Sequence, residues 1–365
     1  MKRMTINLRF WQCMRYWIGL VLLSSMANCT SNDDPEFSDT DRQISYDINV
    51  GWFNGQSVTR GALVNALTSG SLWISSKIHG TTTYYFEKEV LSYGTDSWTT
   101  VNKYLWPDPA SLQTLDFFAF YPSGDTNWTA SSGATWTYTT PQANADQKDL
   151  MYAASLNQAK STNGGVVPLN MKHALSAISF AAETQSSGLT VTIKGINVCN
   201  VNTTGTFVFP DASTVSDAGD NVNRWTSVGT KGNLSAGIAT TTLTTTSQTL
   251  MATNGAVLML PQTLTKWNLT DGDVTATTQT GSYLAIQCRI VSNSIYVVGD
   301  AENDGVVYVP FEGTFDAGKH YQFDMTFGFG YKPDGSSYGL IVHIYSSIKP
   351  WDTVTYTPDR PIYPN

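Results

Sequence analysis

The stretch Ile44-Ser45-Tyr46-Asp47-Ile48-Asn49-Val50-Gly51-Trp52 decides the class of fold. Ile44, Tyr46, Ile48, Val50 and Trp52 alternate with Ser45, Asp47, Asn49 and Gly51. Successive side chains of a strand point to opposite faces, so this period of two predicts a half-buried β-strand. Similar runs, broken by Gly and Pro turns, predict strands at 82–91, 98–104, 115–121, 177–182, 189–198, 205–209, 256–260, 282–290 and 321–328. Their spacing is that of β-sandwich domains. No long amphipathic helix is evident; residues 62–67 are the only candidate for a short one.

Upstream of this strand the chain reads as an export signal. Lys2, Arg3, Arg9 and Arg15 form a basic region, followed by a mostly apolar run from Tyr16 to Met26. That run is far short of the roughly 20 residues a membrane-spanning helix needs. It closes on Met26-Ala27-Asn28-Cys29, so Cys29 is the expected site of lipidation once residues 1–28 are removed. Ser31, Asp33 and Asp34 then resemble a short tag that directs lipoproteins to the cell surface. Residues 29–43 read as an acidic tether.

Composition narrows the function. The 365 residues carry 21 Lys+Arg and 29 Asp+Glu; without residues 1–28 the balance is 17 against 29, a formal charge of −12. So acidic a chain lacks the basic footprint of a nucleic-acid partner. Only 14% of residues are charged, against about 25% in typical domains. Hydroxyl, β-branched and aromatic residues fill the difference, as in an all-β exported protein. The mature length exceeds one ordinary hydrophobic core, which predicts two domains, 44–160 and 161–365, with 157–165 (NQAKSTNGG) as the linker.

The search for catalytic or metal chemistry returns little. No G-x-S-x-G, H-E-x-x-H, phosphate-binding loop or dinucleotide fingerprint occurs. Asp300-Ala301-Glu302-Asn303-Asp304-Gly305 resembles the start of a calcium loop, but Phe311 holds the twelfth position and the acid, Glu312, comes one residue late. The run reads as a solvated acidic turn, and no metal, cofactor or enzymatic activity is expected. Cys199 and Cys288 lie in strand-like sequence, where a disulfide and two buried thiols are equally open readings. Nine tryptophans follow residue 28; Trp128 and Trp136, in a Ser/Thr/Gly-rich stretch, are those expected to be exposed, where aromatic faces suit sugars.

Two segments near the end matter for assembly. Leu340, Val342 and Ile344 alternate with Ile341, His343 and Tyr345, a pattern expected to be buried on both faces. In the tail, 352–365, Val354 and Tyr356 alternate with threonines, while Pro358, Pro361 and Pro364 limit strand pairing.

DFFAFYP (116–122), DLMYA (149–153), VPLNMKHALSAISF (167–180) and LTVTIKGINVCNVNTTGTF (189–207) resemble the fimbrillin-like proteins of anaerobic Gram-negative bacteria. LPQTLTKW (260–267), GKHYQFDMTFGFG (318–330) and IKPW (348–351) continue the likeness in order. The resemblance implies two tandem transthyretin-like β-sandwiches in a surface pilus subunit, exported as an outer-membrane lipoprotein. It implies cleavage by an arginine-specific protease after the first strand, and strand exchange with other fimbrial subunits. Carried onto this chain, the cut falls at Arg60-Gly61, with Arg42 as a rival that would leave the first strand attached. The donor would be the segment of Leu340, Val342 and Ile344, or the tail around Val354 and Tyr356. The competing expectations are a non-polymerising surface lipoprotein that binds glycans or host proteins, and a pilus anchor that keeps its lipid.

Overall fold

The computed structural model describes residues 42–50, 67, 70–94, 97–124, 128–129, 135–210, 224–251, 255–268, 279–331 and 337–349. Its first half runs through β1 (Ser45–Val50), β2 (Ser71–Ile78), β3 (Tyr84–Tyr93), β4 (Trp98–Thr100), β5 (Leu115–Tyr121), β6 (Trp128–Thr129), β7 (Thr135–Thr139), β8 (Met151–Gln158) and β9 (Val166–His173). The second half holds β10 (Ser176–Thr184), β11 (Leu189–Val208), β12 (Trp225–Ala236), β13 (Thr241–Thr242), β14 (Gln248–Thr249), β15 (Val257–Met259), β16 (Gln262–Leu264), β17 (Tyr283–Ser292), β18 (Ile295–Val298), β19 (Gly305–Pro310), β20 (Gly313–Phe315), β21 (His320–Tyr331) and β22 (Ser337–Lys349). The expected all-β class is what the chain adopts.

Seven strands close on themselves in the order β1-β4-β3-β2-β5-β8-β9, with β1 running parallel to β9. The interior is filled by Ile44, Leu72, Ile74, Phe117 and Leu169 among others. β2 was not foreseen, because Ser75, Ser76 and Lys77 interrupt its apolar pattern. All three are buried, and the Ser75 hydroxyl accepts a hydrogen bond from the Lys88 amide at 2.8 Å, where the β2–β3 register shifts. The Ser75 hydroxyl here satisfies a backbone amide at an irregular point of the ladder.

In the second half, the sheet β14-β10-β21-β22 faces one built on β11, which pairs β17, β12, β13 and β7. Ile178, Phe180, Val191, Ile286, Phe323 and Phe327 lie in the core between them. β10 is buried on both faces and runs parallel to β21, which fits the small and apolar residues Ala177, Ile178, Phe180, Ala181 and Ala182 on both its faces. The 20-residue β11 unites the separately predicted strands 189–198 and 205–209. Its alternation changes phase at Lys194, an extra residue between Ile193, opposite Cys288, and Gly195, opposite Gln287. This bulge moves the buried positions from 189, 191 and 193 to 196 and 198, and a second irregularity at Asn200 returns them to 201, 203, 205 and 207.

Residues 157–165, expected as an interdomain linker, instead connect β8 to β9 inside the barrel. A helical turn, Lys160–Asn163, and the left-handed Gly164 and Gly165 reverse the chain there. The barrel therefore extends to His173, and β7 leaves it to pair with β11. Phe118, Phe120, Tyr152, Trp136, Phe207 and Trp225 pack where these two halves meet.

Candidate functional site

β1 fills a slot between β9 and β4. Six parallel pairs, Ser45↔Val166 to Val50↔Met171, join it to β9. A single antiparallel pair, Tyr46↔Trp98, joins it to β4. The Ile44 amide donates to the Tyr104 carbonyl at 2.8 Å, and the Ser45 amide to the Gly165 carbonyl at 3.2 Å. Ile44, Tyr46 and Val50 point inward and are buried, while Ser45 and Asp47 are exposed, as the alternation predicts. Gly51 and Trp52 lie outside the described residues.

Beside Tyr46, Ile48 and Val50 of β1 stand Val167, Leu169 and Met171 of β9, all buried. Tyr46 meets Phe117 edge-on at 6.4 Å. Its hydroxyl lies against Thr100 without closing a well-formed hydrogen bond, and burial pushes its ionisation up. β1 thus occupies the slot as one extended segment of six residues whose alternate side chains are apolar.

Of the residues singled out for processing and exchange, Cys29, Arg60, Gly61, Val354 and Tyr356 lie outside the described residues, as does the helical candidate apart from Leu67. Arg42 is half-buried. Leu340, Val342 and Ile344 stand on β22, opposite Phe329, Phe327 and Met325 of β21. Val342 and Ile344 pack on the core of their own sandwich. The expectation of burial on both faces is corrected: β22 is the outermost strand of its sheet, and Tyr345 is exposed.

Cys199 and Cys288 are buried, unpaired thiols. Cys199 stands opposite Tyr283, and Cys288 opposite Ile193. On β17 positions 283 and 288 differ by an odd number, so the two thiols face opposite sides of the sheet. Five residues of strand also separate their levels by roughly 16 Å, beyond the ~7 Å a disulfide tolerates between Cα atoms. The disulfide reading is therefore replaced by two thiols. Burial raises Cys199 to about 11 and Cys288 to about 12.

The acidic turn is internally committed. Asp300 Oδ1 accepts from the amides of Glu302 and Asn303 at 2.8 and 2.6 Å, and the Asn303 and Glu302 amides hold its carboxyl below the ordinary range. Asp304 lies 2.9 Å from Lys194 and 3.3 Å from Arg289. Among the described residues no three His, Cys, Asp or Glu side chains converge as metal ligands.

The histidines join strands. His79 Nδ1 lies 2.8 Å from Asp116, which also accepts from the Asn157 amide at 2.7 Å. His173 Nδ1 lies 3.0 Å from Asp149, and His320 Nε2 lies 2.9 Å from Ser179. Trp136, expected to be exposed, is 1% exposed and stands 5.0 Å from Phe120. Its polar neighbours in sequence hide a side chain that turns into the aromatic junction. Of the Trp128 side chain the described residues give nothing.

A sequence profile for the family described as fimbrillin-like matches residues 69–351. A fimbrial protein from Bacteroides vulgatus of known structure is 14% identical, covering 85% of this chain and 99% of its own, with a TM-score of 0.56. A candidate cell adhesion protein from Bacteroides uniformis is 15% identical, covering 85% of this chain and 99% of its own, with a TM-score of 0.45. At this identity the first likeness is one of fold. No curated protein matches the chain.

Proposed function

This chain belongs to the fimbrillin-like family, and from that premise we propose that it is a structural subunit of a cell-surface fimbria, assembled by exchange of β1. The observation that carries the reading is the one-sided attachment of β1: six pairs to β9 but one to β4. Arg60-Gly61 lies in sequence between β1 and β2, so a cut there severs β1 from the rest of the chain. Loss of β1 leaves unpaired main-chain groups and uncovers Val167, Leu169 and Met171.

A donor strand restores those hydrogen bonds and buries alternate side chains, each contributing on the order of 1.5–3 kcal/mol when fully covered. The tail around Val354 and Tyr356 is the preferred donor, because Val342 and Ile344 are already engaged with their own core. A head-to-tail contact of this kind extends into a filament rather than closing a dimer. Cys29 would carry the lipid of the precursor, tethering it to the outer membrane before an arginine-specific protease acts.

The test is the N-terminus and oligomeric state of the native surface protein, by intact mass and non-boiled gel. A start at Gly61 with a polymer ladder, lost on deletion of residues 352–365, supports strand exchange. A lipidated Cys29 start with monomer alone overturns it and leaves an anchor or a non-polymerising surface lipoprotein.

A further inference from the structure

β18 and β19 lie along the same side of β17: β18 pairs with residues 290–292, and β19 with 283–288. Between them the chain makes an excursion from Gly299 to Asp304 and returns at its own neck. A Cβ on Gly305 would fall 2.7 Å from Val298 Cγ1 and 2.8 Å from the Gly299 nitrogen. Gly299, at φ +76°, would place one 2.6 Å from the Asn303 carbonyl. Only two glycines permit this closure, which sets β18 and β19 end to end as one sheet edge. Asp304 is drawn to Lys194 of β11 and Arg289 of β17, so its charge is neutralised over the sheet.

The edge reads Ile-Tyr-Val-Val and Gly-Val-Val-Tyr-Val-Pro, without a charged residue. Val298, Val307 and Val309 face the core. Ile295 (70% exposed), Tyr296, Val297, Val306 (45%) and Tyr308 face solvent, and Tyr308 is braced edge-on by Tyr283 at 5.9 Å. Among the described residues no strand pairs with its outer side. Other edges are guarded: β22 carries His343 and Lys349, β12 carries Lys231 and two glycines, and β14 has only two residues. Natural sheets blunt their edges with charge, twist or shortness; β18 is short and bulged at Val297, but the six residues of β19 pair with β17 without a register shift and meet no such device until Pro310.

We propose that the β18–β19 edge pairs antiparallel with the same edge of a second copy of this chain. A two-fold contact sets each residue of the patch against the patch itself, so it must be self-complementary. In a chain of net charge −8, two strands free of charge are where copies meet with least repulsion, the exposed Asp300 and Glu302 being confined to the excursion between them. The exposed side chains present roughly 400–500 Å² of apolar surface, the size of patch that marks interaction sites. Antiparallel pairing of the two edges adds a main-chain ladder to partial cover of these side chains, which places the contact at the weak end of specific association.

The test is sedimentation velocity over a concentration series on the uncut chain with no protease added, where strand exchange does not operate. Wild type forms a dimer, and those amides of 305–309 that point away from β17 gain protection from hydrogen exchange as it forms. Val306→Lys and Val306→Glu each weaken the dimer by roughly tenfold or more, with circular dichroism unchanged. Deletion of 352–365 leaves the dimer intact, which separates this contact from failure of the tail as donor. Monomer at every concentration, a dimer indifferent to both substitutions, or one lost with the tail overturns the proposal.

Discussion

The indole N–H of Trp225 donates to the main-chain carbonyl of Ala174 at 2.6 Å. Ala174 sits between β9 and β10, where the chain leaves the barrel, and its own amide donates to the Leu150 carbonyl at 2.7 Å. Trp225 also meets Phe207 at 5.3 Å and Tyr138 at 6.2 Å. One side chain thus ties the start of β12 to the junction of both halves. Trp225→Phe keeps an aromatic ring but removes the donor, leaving a buried carbonyl short of a partner. We expect a loss of about 1–3 kcal/mol in urea unfolding; an unchanged midpoint would show that the bond contributes nothing.

Asp304 is largely buried between two partly exposed cations. Lys194 is the closer, and Arg289 adds charge without a well-formed hydrogen bond. Asp304→Ala should cost about 1–2 kcal/mol, because it leaves Lys194 and Arg289 adjacent and uncompensated. The deficit should shrink as salt screens them. A variant equal to wild type at low salt contradicts this account.

β1 and β10 should differ in local stability. β10 is flanked by β21 on one side and by β14 and β15 on the other, and is buried on both faces. β1 has one pair on its β4 side and exposed residues along its outer face. Native-state hydrogen exchange should release the β1 amides by partial opening, well before those of β10, which await global unfolding. Coincident exchange of the two strands would mean that β1 does not open independently.

The two thiols predict an alkaline limit. Burial raises Cys199 and Cys288 from 9.0 to about 11 and 12. The unfolded chain therefore ionises first: the stabilisation is complete below pH 9.0 and is lost as pH rises through 11–12. Unfolding free energy measured across that window should fall less steeply for Cys288→Val than for wild type. At neutral pH iodoacetamide should modify neither thiol until denaturant is added, as intact mass will report. Labelling of the native protein would contradict the burial.

Alternation makes β1 legible, because its side chains obey a period of two, and a nearly unbroken apolar run makes β5 legible, because it is buried on both faces. It failed where polarity and burial part company. Ser75, Ser76 and Lys77 concealed β2, and Asn200 to Thr204 split β11 although Asn200, at φ +62°, merely absorbs an irregularity. Trp136 was misjudged from its neighbours in sequence, since Phe120 reaches it only through the fold. The candidate site was half legible. The alternation of residues 44–52 identifies the strand β1, but its unequal attachment depends on β9, and no local pattern encodes that pairing. Nor does Gly-Val-Val-Tyr-Val-Pro announce an exposed edge, because the same residues would suit a core.

The parallel ladder of β1 and β9 also orders events in time. Ser45 and Gly165, which are hydrogen-bonded, lie 120 residues apart along the chain. Parallel neighbours cannot be joined by a hairpin, and loop-closure entropy must be met before so distant a contact forms. β1 is translated before every other strand described, yet its ladder awaits the last strand of the barrel. The first of these strands to be made therefore cannot complete its ladder until the last strand of the barrel has been made.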